Sequence, residues 1–94
     1  MARLRTHPGE LLREEYLVPL GLSAHALAKE LAVPANRLTE IMRGTCDVTA
    51  DTAIRLGRYF STDPRFWLNL QAAYDLSKAE KMHSYKKIVP RKVA

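Results

Sequence analysis

Leu27 to Gly44 reads LAKELAVPANRLTEIMRG, and this stretch decides the fold. Two apolar stripes, Leu27, Ala28 and Leu31, then Leu38, Ile41 and Met42, recur at three- and four-residue spacing on either side of a break at Ala32-Val33-Pro34. A small Ala28, an apolar Val33 in the turn, and Leu38 and Ile41 beyond it let two helices cross at about 90–120° with little space between them, which is the helix-turn-helix arrangement. A plain helical hairpin needs no polar side chains projecting from the start of its second helix. Here Ala35, Asn36, Arg37, Thr39 and Glu40 all fall off the inward stripe and are expected to face outward. Asn pairs bidentately with adenine N6/N7 and Arg with guanine O6/N7, so such a face has the donor geometry to read base edges in a major groove.

Working outward, punctuation divides residues 7 to 78 into five helix-sized pieces. In His7-Pro8-Gly9-Glu10, Pro8 suits the first helical position and Glu10 the positive helix end. That first helix is expected to run to about Leu17 and stop at Pro19-Leu20-Gly21. Ser23 can accept a bond from the free amides opening the second helix, which ends at Ala32-Val33. Pro34 opens the third, and Gly44 supplies the residue past its end that takes positive φ cheaply. Thr49 caps the fourth, with Asp51 in its first turn and Ala53, Leu56 and Phe60 inward. Asp63-Pro64 caps and starts the fifth, whose apolar face is Phe66, Trp67, Leu70 and Tyr74. No stretch alternates with period two between turn residues, so the fold class is all-α. From about Glu80 the stripe fails, and residues 79–94 read as a basic, frayed tail; residues 1–6 read as a short N-terminal tail.

A chain of 94 residues and 10.7 kDa supports one hydrophobic core, too little for a two-lobed enzyme. No charge-free stretch approaches the ~20 apolar residues of a membrane span. Arg3 and Arg5 precede no apolar run, so no secretory signal is read, and the expected location is the cytoplasm. The single Cys46 closes no intrachain disulfide, and His7, His25 and His83 are too scattered for a metal site. The formal charge of +5 sits at one end. Residues 1–75 hold nine Lys/Arg against nine Asp/Glu, whereas residues 76–94 hold six basic side chains against Glu80 alone. The folded part is neutral, so net charge does not argue for nucleic acid; only clustering on one face does. The tail is open to two readings, a solvated end or an arm that touches phosphates.

The segments HPGELLREEYLVPLGLSAHALAKELAVPANRLTEIMRG, TADTAIRLGRYF and PRFWLNLQAAYDL together resemble the HigA-type, VapI-like antitoxins of the XRE class of helix-turn-helix proteins. The resemblance covers about residues 7 to 78, with the helix-turn-helix at about 23–44. It implies a five-helix, lambda-repressor-like DNA-binding domain and no cofactor. Its implied partners are double-stranded operator DNA, a second copy of the chain in a homodimer, and a RelE-like, mRNA-cleaving toxin of HigB type. The family's base-reading positions fall on Ala35, Asn36, Arg37, Thr39 and Glu40. Its phosphate-holding positions fall on Ser23, Arg43 and Thr45, and its pairing helix carries Phe66, Trp67, Leu70 and Tyr74. Two departures stand out. Gly44 is followed by Thr45-Cys46-Asp47 where members often carry Lys or Arg, and Ala32 stands where many have Gly in the turn.

Other residues have plainer readings. Phe66, Trp67 and Tyr74 at helical spacing are core before they are a ligand cage. A chain of this size buries only about 60–65% of its unfolded surface, so a second subunit can cover part of that aromatic face. His25 is a solvated helix position, and Glu14-Glu15 are surface charges with no histidine or metal site to make them catalytic. A redox role for Cys46 lacks a neighbouring cation in sequence. The functions left open are a DNA-binding repressor, a toxin-neutralising interaction module, the two combined as the resemblance implies, or a stand-alone XRE regulator with no toxin; an enzyme is not expected.

Overall fold

Helix α1 spans residues 8–20 and starts on His7, whose Nδ1 accepts the Gly9 N–H at 2.9 Å while Pro8 takes the first turn. The helix ends inside the expected stop at Pro19-Leu20-Gly21, but it runs three residues past Leu17 and passes through Pro19 to do so. Pro8–Leu11 and Val18–Leu20 are α-helical, and Leu12–Leu17 between them is π-helical, the Val18 N–H reaching back five residues to the Arg13 carbonyl. Pro19 has no N–H to give, and its ring would strike the Glu15 carbonyl in a regular α-turn; the wide turn moves that carbonyl aside. Gly21, at φ 62°, then ends the helix.

These coordinates are a computed structural model in which residues 6–92 are described. Apart from Thr6, the expected N-terminal tail lies outside the described residues, as do the last two positions of the C-terminal tail. Among the described residues there is no strand, and the remaining helices are α2 (Ala24–Leu31), α3 (Ala35–Met42), α4 (Ala50–Phe60) and α5 (Pro64–Met82). The caps at Ser23, Thr49 and Asp63 form as expected, accepting from the amides of Ala26, Thr52 and Arg65. Pro34 precedes α3 as its extended cap rather than lying within it.

Leu12, Leu27, Leu38, Ile41, Leu56 and Trp67 form the heart of the core, each at most 1% exposed. A Cβ on Gly9 would collide with the Ile41 carbonyl, so glycine is what lets α1 lie directly on the end of α3. Trp67 donates its Nε1–H to Thr62 Oγ1 at 3.0 Å and packs beside Tyr16, ring centroids 5.2 Å apart. The buried positions of α5 are Trp67, Gln71 and Ser77, with Leu70 and Tyr74 half-buried and Phe66 exposed. Gln71 accepts the Val48 N–H at 2.8 Å and donates to Asp47 and Asp75, fastening the α3–α4 loop to α5.

The fifth helix is longer than its apolar stripe. It continues through Lys78-Ala79-Glu80-Lys81-Met82, all strong helix formers, and only from His83 does the backbone become extended. Residues 83–92 are exposed, with one turn closed by the Ile88 N–H on the Tyr85 carbonyl. No helix among the described residues is long and apolar enough to cross a membrane.

Candidate nucleic-acid interface

The crossing of α2 and α3 is set by Ala32, which sits at φ 58° and ψ 45° in the left-handed region. Its N–H bonds the Lys29 carbonyl and the next amide, Val33, bonds Ala28, so the turn satisfies the end of α2 at some backbone strain that glycine would avoid. Behind α3, Leu38 and Ile41 are sealed in the core, and this fixes which side chains point away from it. Gly44, at φ 79°, closes the helix.

The sequence-predicted residues do not all converge. Asn36, Arg37 and Glu40 meet Pro34, Asp47, Thr49 and Asp51 in an open groove of about 580 Å³ between α3 and the start of α4. Asn36 is exposed, Ala35 and Thr39 are half-buried, and the Thr39 hydroxyl turns back to donate to the Asn36 carbonyl at 3.2 Å. Arg43 lies apart, beside His7, Glu10, Arg13 and Tyr74 in a second recess of about 420 Å³. Thr45 is exposed, its hydroxyl donating to the Glu40 carbonyl, and exposed Ser23 spends its oxygen on capping α2. Among the positions expected to pair subunits, Trp67 is a correction. It is wholly inside its own subunit and has no surface to offer, so of the four expected positions Phe66, Leu70 and Tyr74 remain reachable.

Two side chains absent from the expected site organise it. Asp51 Oδ2 accepts from Arg37 Nη1 at 3.1 Å and from Arg55 Nε at 2.9 Å. Arg55 Nη1 in turn donates to the Leu31 carbonyl at 2.7 Å, at the end of α2. The Arg55 hydrogen bond, helped by both cations, holds the Asp51 carboxyl below its ordinary value, so it is ionised throughout the neutral range. The Asp51–Arg55 contact, four residues apart in a helix, was legible in sequence; the Arg37–Asp51 contact depends on how two helices cross.

Cys46 is a poor thiolate. Its Sγ donates to Glu40 Oε2 at 3.3 Å, and that bond, with burial and the carboxylates of Glu40 and Asp47, raises the thiol above its usual range. No cluster of three or more potential metal ligands occurs among the described residues.

No protein-family model matches the chain. Virulence-associated protein I of Dichelobacter nodosus is 64% identical over 74 residues, covering 79% of this chain and 68% of the relative. Among solved structures, an addiction module antidote protein of a HigA family from Coxiella burnetii is 48% identical at a TM-score of 0.86, covering 95% of this chain and all of that one. The antitoxin GraA in complex with its operator is 44% identical at a TM-score of 0.90, covering the whole of this chain and 97% of the other. With the all-helical fold, the left-handed turn at Ala32 and the outward first turn of α3, these likenesses establish that the chain belongs to the HigA-type, VapI-like family of helix-turn-helix antitoxins.

Proposed function

We propose that this protein is a dimeric, operator-binding repressor of its own operon that also neutralises a RelE-like toxin of HigB type, acting in the cytoplasm and catalysing nothing itself. The observation that carries the reading is the outward first turn of α3, where Asn36 and Arg37 stand beside an open groove on a fold that superposes on GraA with its operator. In this reading α3 enters the major groove, with Asn36 and Arg37 on base edges and Ala35, Thr39 and Glu40 at the same surface. Ser23 and Arg43 then hold phosphates on either side, and Thr45 joins them by turning its hydroxyl from the Glu40 carbonyl to a phosphate oxygen.

Charge bears on how this works. The groove carries Glu40, Asp47 and Asp51 against Arg37, so non-specific attraction is weak there and contact chemistry must supply the discrimination. Phe66, Leu70 and Tyr74 on α5 are the surface we assign to a second copy. The test has two parts. Titration of the DNA upstream of the chain's own operon, against a scrambled duplex of equal length, should show a preference of about 10³-fold or more, as specific binders do. Co-expression with the short reading frame beside its gene should restore growth that this frame alone arrests. Equal affinity for both duplexes overturns the repressor reading, and an unrescued arrest overturns the antitoxin reading.

A further inference from the structure

We propose that Asp51 is a specificity-determining residue that acts by positioning Arg37, holding its guanidinium in one orientation before DNA arrives. The inference rests on the base-reading role assigned to α3. One carboxylate oxygen, Asp51 Oδ2, takes both Arg37 Nη1 at 3.1 Å and Arg55 Nε at 2.9 Å. Arg55 is itself anchored on the Leu31 carbonyl at 2.7 Å, and more loosely on Ala32 at 3.4 Å. The chain Leu31–Arg55–Asp51–Arg37 thus runs from the turn that sets the helix crossing to the first turn of the recognition helix. A reading side chain tied to that turn inherits its geometry.

Stability does not account for the arrangement. Asp51 and Arg37 are 58% and 41% exposed at their side chains, and pairs so open to water contribute little to folding. A carboxylate beside a DNA-facing groove also repels the phosphate backbone and lowers affinity for every sequence alike. What it offers in return is preorganisation. With Nη1 committed to Asp51, the planar Arg37 head still has Nη2 and Nε donors free, and fewer rotamers are lost when it meets a guanine edge. The expected consequence is a trade of general affinity for discrimination at one base pair in each half-site.

The test selects duplexes from a random pool with the wild-type chain, then titrates selected and scrambled DNA with Asp51→Ala, Asp51→Asn, Arg37→Ala and the Arg37→Ala/Asp51→Ala double variant, beside thermal melts. Asp51→Ala should bind scrambled DNA as well as the wild type or better, and lose about tenfold in preference for the selected duplex. The base pair that relaxes should be the one that relaxes in Arg37→Ala, and the double variant should lose no more than Arg37→Ala alone. Asp51→Asn, which keeps an acceptor without the charge, should lose less and carries the comparison if Asp51→Ala melts early. Unchanged preference in Asp51→Ala, or the same added loss in the Arg37→Ala background, overturns the proposal. A sharpened preference also overturns it, since Asp51 would then be withholding Arg37 from DNA. If the wild type selects no consensus at all, the DNA-reading assignment falls, and this proposal with it.

Discussion

His7 caps α1 with a ring nitrogen instead of an oxygen, and this couples the fold to pH. Its Nδ1 must keep a lone pair to accept the Gly9 N–H, so the capping form is the neutral ring protonated on Nε2. Burial lowers the folded-state pKa below 6.5, against the pull of Asp47, Asp75 and the Cys46 main chain and with a smaller push from Lys78. A base depressed on folding contributes stability that is fully present above its unfolded pKa, near 6.5, and is lost as pH falls through the lower folded value. Melting temperature should therefore drop on acidification below about pH 6.5. In His7→Asn, which keeps a capping oxygen but does not titrate, that part of the drop should vanish; an identical pH profile would contradict the assignment. A second residue-scale expectation concerns Ala32. Since a left-handed alanine is strained by about 1–2 kcal/mol and glycine is not, Ala32→Gly should be neutral or stabilising by up to about 1 kcal/mol after glycine's extra unfolded entropy. Chemical denaturation reads this directly, and a loss of stability would mean that the Ala32 methyl packs usefully. The caps at Ser23, Thr49 and Asp63 were legible because an oxygen and the amide it accepts lie within three residues. The His7 cap was not, because a histidine there has no such signature.

Elements that depend on one periodic stripe were readable, and those that bend or outrun it were not. The stripe of α3 placed Leu38 and Ile41 inside and Asn36 outside without knowledge of the partner helices. In α1 the stop at Pro19-Leu20-Gly21 was readable, but not the π-helical stretch at Leu12–Leu17 that absorbs Pro19 and carries the helix past Leu17 to Leu20. In α5 the stripe ended near residue 78, but helix propensity alone extends it to Met82. The same helix hides its most connected polar residue on the buried side. Gln71 holds the loop behind α3 by two hydrogen bonds, from the Val48 amide and to Asp47, and a third to Asp75 on its own helix steadies its amide, an arrangement that no local pattern announces. Gln71→Ala should leave that amide unpaired and cost roughly 1–3 kcal/mol in denaturant titrations. A cost near zero would mean that the loop finds other partners.

For the whole molecule, the question is how a chain whose first 75 residues carry no net charge binds a polyanion. The basic side chains concentrate beyond them, and Lys86, Lys87, Arg91 and Lys92 all lie in the exposed stretch past α5. Removing residues 83–94 takes away only the His83 bond to the Ala79 carbonyl from the helices among the described residues, and should flatten the plot of log K against log salt by roughly 0.9 for each phosphate that the segment neutralises, without changing which sequence is preferred. An unchanged slope would make the segment a solvated end. The homodimer proposed here must hold its recognition helices about one helical turn, ~34–36 Å, apart to read an inverted repeat. In the function proposed here, specificity rests on the face of α3, and the most direct measurement is a titration of operator and scrambled duplexes with the wild type, Asn36→Ala and Arg37→Ala at one salt concentration. Each substitution should cost about 1–3 kcal/mol on the operator and nearly nothing on scrambled DNA, with melting temperature almost unchanged because neither side chain is in the core. Equal losses on both duplexes would make these residues phosphate contacts and contradict the account.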